Sequence, residues 1–153
     1  MIRQMQEKDL DEIILIENEL FISPWNKEQF LYEINENELS KSFVLEINNE
    51  VIAYGMMWFL FENADITNIA VKKKYQKQGY GLKMLKHLIK EAINNNCEFV
   101  HLEVRINNEE AINLYNKMGF ETVRIRKHYY EDGSDAYDMI KVIGGLSEKD
   151  FSD

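Results

Sequence analysis

A chain of 153 residues, 45% hydrophobic and 12% aromatic, supports one packed domain and leaves no room for a second full core. Its net charge of −9 excludes a nucleic-acid binder working through general electrostatics, and suits either a basic partner or plain solubility. The longest apolar run, the eleven residues Val51 to Phe61, is too short to cross a bilayer, so no membrane role is expected.

In chain order, Met1 to Glu7 lacks the apolar stretch of a signal peptide, and Ile2 to Met5 reads as a short strand. Leu10, Ile13, Ile14, Ile16, Leu20 and Phe21 recur at helical spacing until Ser23-Pro24-Trp25 breaks the helix. A second helix starts near Asn26, whose side chain can cap the Gln29 amide while Gln29 reaches back; Phe30, Leu31 and Ile34 supply its buried face. From Ser42 the period becomes two, with Phe43, Leu45 and Ile47 on one face. The turn Asn48-Asn49-Glu50 leads into a central strand, Val51 to Phe61, and after Glu62-Asn63 comes the strand Ala64 to Val71. Ile66 and Ile69 would fall on opposite faces of that strand unless a bulge intervenes. Gly79 to Asn95 is a helix with Leu82, Leu85, Ile89, Ala92 and Ile93 in one stripe, followed by a strand at Phe99 to Arg105. Cys97, the one cysteine, can form no internal disulfide, which fits a reducing cytoplasm. A helix from Asn108 to Met118 ends at Gly119. Two last strands, around Thr122 to Tyr130 and Ala136 to Ile143, flank the turn Glu131-Asp132-Gly133-Ser134. Residues 1–146 form the domain, and 147–153 a polar tail expected to fray. The strand–helix–strand unit from Ala64 to Arg105 implies one parallel, right-handed crossover in an otherwise antiparallel sheet.

Three segments carry chemistry. Gln76-Lys77-Gln78-Gly79-Tyr80-Gly81 follows a strand and opens a helix, so its amides and the helix dipole suit an anion such as a pyrophosphate, and the alternative is a plain structural turn. Lys72, Lys73, Lys74, Lys77 and Lys83 make it a cationic island on an acidic protein. In Val100-His101-Leu102-Glu103-Val104-Arg105, the polar row His101, Glu103, Arg105 suggests a face that opens into a cleft. Glu103 there is either a general base or half of a structural pair with Arg105. Tyr115 shares an apolar stripe with Ala111 and Met118, and is either a functional donor or a core tyrosine with a satisfied hydroxyl. His87, His101 and His128 lack metal-ligand spacing, so no metal is expected, and Cys97 has no histidine pattern beside it to make it a nucleophile.

Asn68-Ile69-Ala70-Val71, Gln76-x-x-Gly79-x-Gly81, Asn108 and Leu114-Tyr115-x-x-x-Gly119-Phe120, in this order, resemble the acetyl-CoA-binding core of the GNAT superfamily. Leu102-Glu103-Val104-Arg105-x-x-Asn108-x-x-Ala111-Ile112-x-Leu114-Tyr115 is similar to the ribosomal-protein-alanine N-acetyltransferases, as are Pro24-Trp25, Tyr129-Tyr130 and Asp135-Ala136-x-x-Met139. The resemblance implies an α/β (α+β) GNAT fold: a mixed, mostly antiparallel sheet with a parallel pair splayed at the cleft, flanked by about four helices.

It further implies that acetyl-CoA binds as acetyl donor in that cleft, its pantetheine along Ile69, Ala70 and Val71 like an added strand and in contact with Asn108. Its pyrophosphate would lie on the amides of Lys77, Gln78, Gly79, Tyr80, Gly81 and Leu82. Glu103 would accept the proton of the substrate amine and Tyr115 would donate to the departing thiolate. Trp25, Tyr129 and Tyr130 are the candidate acceptor rim. The implied reaction is direct acetylation of a protein N-terminus, with the N-terminal alanine of ribosomal protein S18 as the favoured acceptor. Two alternatives stay open: transfer to a lysine side chain or small amine on the same scaffold, and a non-catalytic acyl-CoA-binding module.

Overall fold

A computed structural model describes residues 1–151. Seven strands form one sheet in the order β1-β2-β3-β4-β5-β7-β6, with β1 at Ile2–Gln4, β2 at Ser40–Ile47 and β3 at Glu50–Leu60. The rest are β4 (Asn63–Val71), β5 (Phe99–Arg105), β6 (Glu121–Arg126) and β7 (Ala136–Val142). Helices α1 (Leu10–Leu20) and α2 (Lys27–Asn35) precede β2, α3 (Tyr80–Asn94) joins β4 to β5, and α4 (Glu109–Lys117) follows β5. Every strand pair is antiparallel except β4–β5.

The expected local devices are present. Asn26 accepts from the Gln29 amide and the Gln29 side chain accepts from the Asn26 amide, both at 2.9 Å, so two orphan donors at the start of α2 are met. Asn48 and Asn49 take left-handed φ of 50° and 66°, the geometry that joins β2 and β3 in a tight hairpin. β4 carries the bulge that its sequence calls for: Met56 opposes Asn68 while Met57 opposes Ile66, which leaves Thr67 unmatched. Ile66 and Ile69 consequently reach the same core.

Two cores lie on opposite faces of the sheet. On one, α3 lays its buried Met84, Leu85, Leu88, Ile89 and Ala92 on β3, β4 and β5, with Val100, Leu102 and Val104 beneath. Each fully buried leucine there contributes about 2 kcal/mol. Gly55 permits this contact, because a Cβ at that position would stand 2.9 Å from the Met84 side chain. On the other face α1 and α2 bury Leu10, Ile13, Ile16 and Phe30 against Val44, Val51, Tyr54 and Met56. The helices of this second face pack on β2, β3 and β4. That leaves the same face of β5 to the polar row His101, Glu103 and Arg105, with Asp138 of β7 beside it.

The expectations need amending at two places. β6 ends at Arg126 rather than running to Tyr130, because Asp135 accepts from the His128 amide and from Lys127, and His128 takes a φ of 52°. The tail does not fray over its described part: Glu148–Phe151 forms a 3-10 turn, Glu148 accepts from Asn94, and the buried Phe151 ring joins the core under the Lys141 ammonium. Residues 152 and 153 of the expected tail lie outside the described residues.

Candidate active site

The parallel pair holds only from Asn63↔Phe99 to Ile66↔Leu102, and past the Thr67 bulge β4 and β5 separate. Lys72 donates to the Ile52 carbonyl, so ladder alternation turns the N–H and C=O of Val71 and Ile69 away from β3 and toward the gap. Ala70 points into the core beneath α1. These free β4 edges fit an extended, amide-bearing ligand arm such as pantetheine. The Val71 carbonyl accepts from the Gln76 side chain at 3.0 Å, a bond such an arm would exchange for its own.

At the mouth of the gap, Lys77 and Gly79 both adopt positive φ, 63° and 91°, and Gly79 precedes α3 without any side-chain cap. The amides of Lys77, Gln78, Gly79, Tyr80, Gly81 and Leu82 meet no acceptor among the described residues; the first bond of the helix runs from the Lys83 amide to the Gly79 carbonyl. Donors left unpaired at the positive end of a 15-residue helix make an anion cradle. A side chain on Gly79 would meet nothing within 4 Å, so the cradle is open above it. Lys72 is paired with Glu50 at 2.7 Å, whereas Lys73, Lys74, Lys77 and Lys83 make no ion pair among the described residues. The site thus offers a pyrophosphate both amides and lysine cations.

On the polar face of β5, Glu103 is three-quarters buried yet its carboxylate accepts no hydrogen bond among the described residues. Burial raises its proton affinity, the neighbouring His101 lowers it, and the net shift is upward. The structural pairing with Arg105 is absent. Arg105 instead holds both oxygens of Asp132 at 2.9 and 3.0 Å and stacks its guanidinium 4.0 Å over the Tyr130 ring.

Around His101 the sheet assembles a cluster that strand spacing could not show. Asp65 of β4 lies beside it across the parallel pair, and Asp138 of β7 stands opposite Glu103. His101, Glu103 and Asp138 bring one potential ligand atom each within 4.8 Å of one another, although neither the histidine count nor the spacing suggested it. Both oxygens of Asp138 are already taken by Arg124 and Arg126 at 2.8 to 2.9 Å, so side chains satisfy it without a metal.

Tyr115 sits on α4 with its ring 7% exposed and 5.8 Å from the Phe120 ring. Its hydroxyl bonds to nothing among the described residues, which departs from the core-tyrosine alternative. Burial, with a smaller contribution from Tyr130, pushes its pKa up to about 12. Tyr129 and Tyr130 stack edge to face at 5.0 Å and both feel the charge of Glu103, so the structure brings them to the border of that carboxylate. Trp25 is placed elsewhere: its ring packs 5.4 Å from Phe30 and lines a hollow with Tyr32, Glu33 and Trp58. Its amide donates to the buried Glu17, which also accepts from the Tyr54 hydroxyl and so fixes the α1–α2 connection. Asn108 caps α4 by accepting from the Ala111 amide at 3.2 Å, a role that leaves its amide nitrogen for a ligand. Cys97 is buried and its thiol pKa is raised by that burial, which suits packing rather than nucleophilic attack.

Comparison with known proteins agrees with this geometry. The model of the acetyltransferase (GNAT) family matches residues 10–120. The chain is 34% identical over 129 residues to the ribosomal protein bS18-alanine N-acetyltransferase of Escherichia coli K12, covering 84% of this chain and 86% of the relative. It is 35% identical over 151 residues to an N-alpha-acetyltransferase of Sulfurisphaera tokodaii, covering 90% of each. The crystal structure of the ribosomal-protein-S18-alanine N-acetyltransferase from Escherichia coli superposes with a TM-score of 0.86 at 34% identity, over 97% of this chain and 96% of that one. With its splayed parallel pair, its open amide cradle and a matching family model over most of its length, the chain belongs to the GNAT acetyltransferase family.

Proposed function

We propose that this enzyme acetylates the α-amine of a protein N-terminus, with acetyl-CoA as donor, Glu103 as proton acceptor and Tyr115 as donor to the departing thiolate. The observation that carries the reading is that, among the described residues, the three-quarters-buried Glu103 carboxylate accepts no hydrogen bond and the Tyr115 hydroxyl makes none. Acetyl-CoA supplies the activated acyl group. Ile69 and Val71 are suited to hold its amide-bearing arm, Asn108 to touch that arm, and the amides of Lys77 to Leu82 to hold its pyrophosphate.

Only the free base of an amine attacks a thioester, and an α-amine, with a pKa of about 8, is mostly protonated near neutrality. Glu103 therefore matters less as a strong base than as a local acceptor that delivers the neutral amine in place. The Val71 N–H, turned to the gap, is the donor best placed for developing negative charge on the acyl oxygen. Tyr129 and Tyr130 form the acceptor rim. The Trp25 ring stays outside this rim, although the loop before it is tied by the Ser23–Glu131 hydrogen bond of 2.9 Å to the turn that follows the two tyrosines.

The relatives named above favour an N-terminal alanine, that of ribosomal protein S18, as acceptor, and an enzyme of net charge −9 suits a basic cytoplasmic partner. The test is an acceptor panel read by mass spectrometry with the modified nitrogen mapped. It compares Ala-terminated S18-like peptides with lysine peptides blocked at their N-termini. Acetylation of the α-amine is expected, and modification confined to the ε-amine would overturn the reading.

A further inference from the structure

His101 lies outside every role assigned above, yet it occupies the middle of the polar face. Both of its ring nitrogens look at carboxylate oxygens: Nδ1 lies 3.2 Å from Asp65, while Nε2 lies 3.6 Å from Asp138 and 3.8 Å from Glu103. Either neutral tautomer has one lone-pair nitrogen, which here would face the lone pairs of a carboxylate. Only the imidazolium has a hydrogen for each side. The charges agree with this. Asp65, Glu103 and Asp138 come from β4, β5 and β7, and β6 supplies Arg124 and Arg126, both bonded to Asp138. Three carboxylates and two guanidinium groups leave the cluster one cation short, and an imidazolium completes it.

We propose that His101 is a positioning residue for the transfer: an imidazolium seated between three strands that holds the Glu103 carboxylate ionised and turned to the cleft. The proposal rests on the reading of Glu103 as proton acceptor. Glu103 has no other cationic neighbour within ion-pair distance among the described residues, since Arg105 is spent on Asp132 and Arg126 on Asp138. The hydrogen bond with Asp65 raises the proton affinity of His101, burial opposes this, and the charges of Glu103 and Asp138 reinforce the rise. Burial pulls the opposite way on Glu103, so the imidazolium offsets part of what desolvation would do to the base. It keeps both protons throughout and is not consumed.

Two measurements test this. Long-range proton–nitrogen NMR on the full chain reads the state of each histidine through a pH titration. His101 is expected to keep both nitrogens protonated at neutral pH, above the ordinary histidine midpoint near 6.5. A neutral ring at that pH would overturn the proposal, and this measurement needs no variant. In the pH profile of kcat/KM, His101→Gln should move the lower ionisation upward by about one unit, a roughly tenfold loss below it, whereas His101→Lys should keep it near the parent value. A Gln profile that coincides with the parent's also overturns the proposal. Glu103→Gln separates the two readings. Parent-like turnover in that variant would remove Glu103 as base, while an inactive Glu103→Gln beside an unmoved His101→Gln profile removes only the role of His101.

Discussion

Replacing Tyr115 by Phe is expected to leave the fold intact while slowing turnover. An ordinary buried tyrosine whose hydroxyl is bonded would lose about 0.5–1.5 kcal/mol of stability on this change. Here the hydroxyl has no partner among the described residues and keeps some contact with solvent, so removing it breaks no protein hydrogen bond and relieves no buried unpaired group. Tyr115→Phe should therefore be close to neutral, within about 0.5 kcal/mol. The effect on catalysis is bounded by acidity. Burial has pushed the phenol up to about 12, and its full proton transfer to a thiolate of ordinary pKa near 8.5 runs uphill by roughly 5 kcal/mol. In the proposed role the hydroxyl would therefore act as a hydrogen-bond donor to the developing charge. Such a bond is worth about 1.5–3 kcal/mol, so kcat should fall about 10- to 100-fold. Urea unfolding and a free-thiol release assay measure the two quantities. A stability loss above roughly 1 kcal/mol with unchanged kcat would refute the reasoning, since it would mean a structural bond and no catalytic one.

Glu103→Gln should lower kcat by about 10²–10⁴-fold while calorimetric binding of acetyl-CoA stays as in the parent. Because the Glu103 pKa is raised, the parent should lose kcat/KM on acidification at a pH above the ordinary glutamate value of 4.5. Gly55→Val would push a side chain into Met84 and Leu88, and should cost about 1–3 kcal/mol in urea unfolding. Burial raises the Asp9 pKa, but two bonds from Arg3 and one from the Gln6 amide outweigh it and hold the folded value below 3.8. Asp9 thus stabilises the fold above that unfolded value and loses its effect as pH falls through the lower folded one. Asp9→Asn should cost about 2–4 kcal/mol at neutral pH, with the gap to the parent closing in acid unfolding curves.

How much of this was legible in sequence depended on whether the cause was local. The Asn26–Gln29 box and the Asn48-Asn49 turn each follow from residues a few positions apart, and each stands as read. The Thr67 bulge was legible as a conflict, since two isoleucines three positions apart cannot share a face of an unbroken strand. The pairing of Glu103 with Arg105 failed for the opposite reason. Residues two apart on a strand share a face, yet Asp132 arrives from a distant turn with both oxygens free to accept. Phe151 looked like part of a polar tail because its own neighbours are charged, while its burial depends on Lys141 and on the core beneath α3.

The cluster at His101 shows why a site of this kind escapes periodicity. Its members come from four strands, and only the pairs His101/Glu103 and Arg124/Arg126 are near in sequence. What joins them is the limited reach of α1 and α2, which pack on the sheet as far as β4. Beyond that boundary a strand facing an apolar helix on one side has no apolar partner on the other, so β5 alternates buried valine and leucine with half-buried charge. The gap between β4 and β5 opens at this boundary. The same geometry that leaves the amides of Ile69 and Val71 unpaired also leaves Glu103 of β5 partly desolvated, a setting in which a carboxylate can accept a proton.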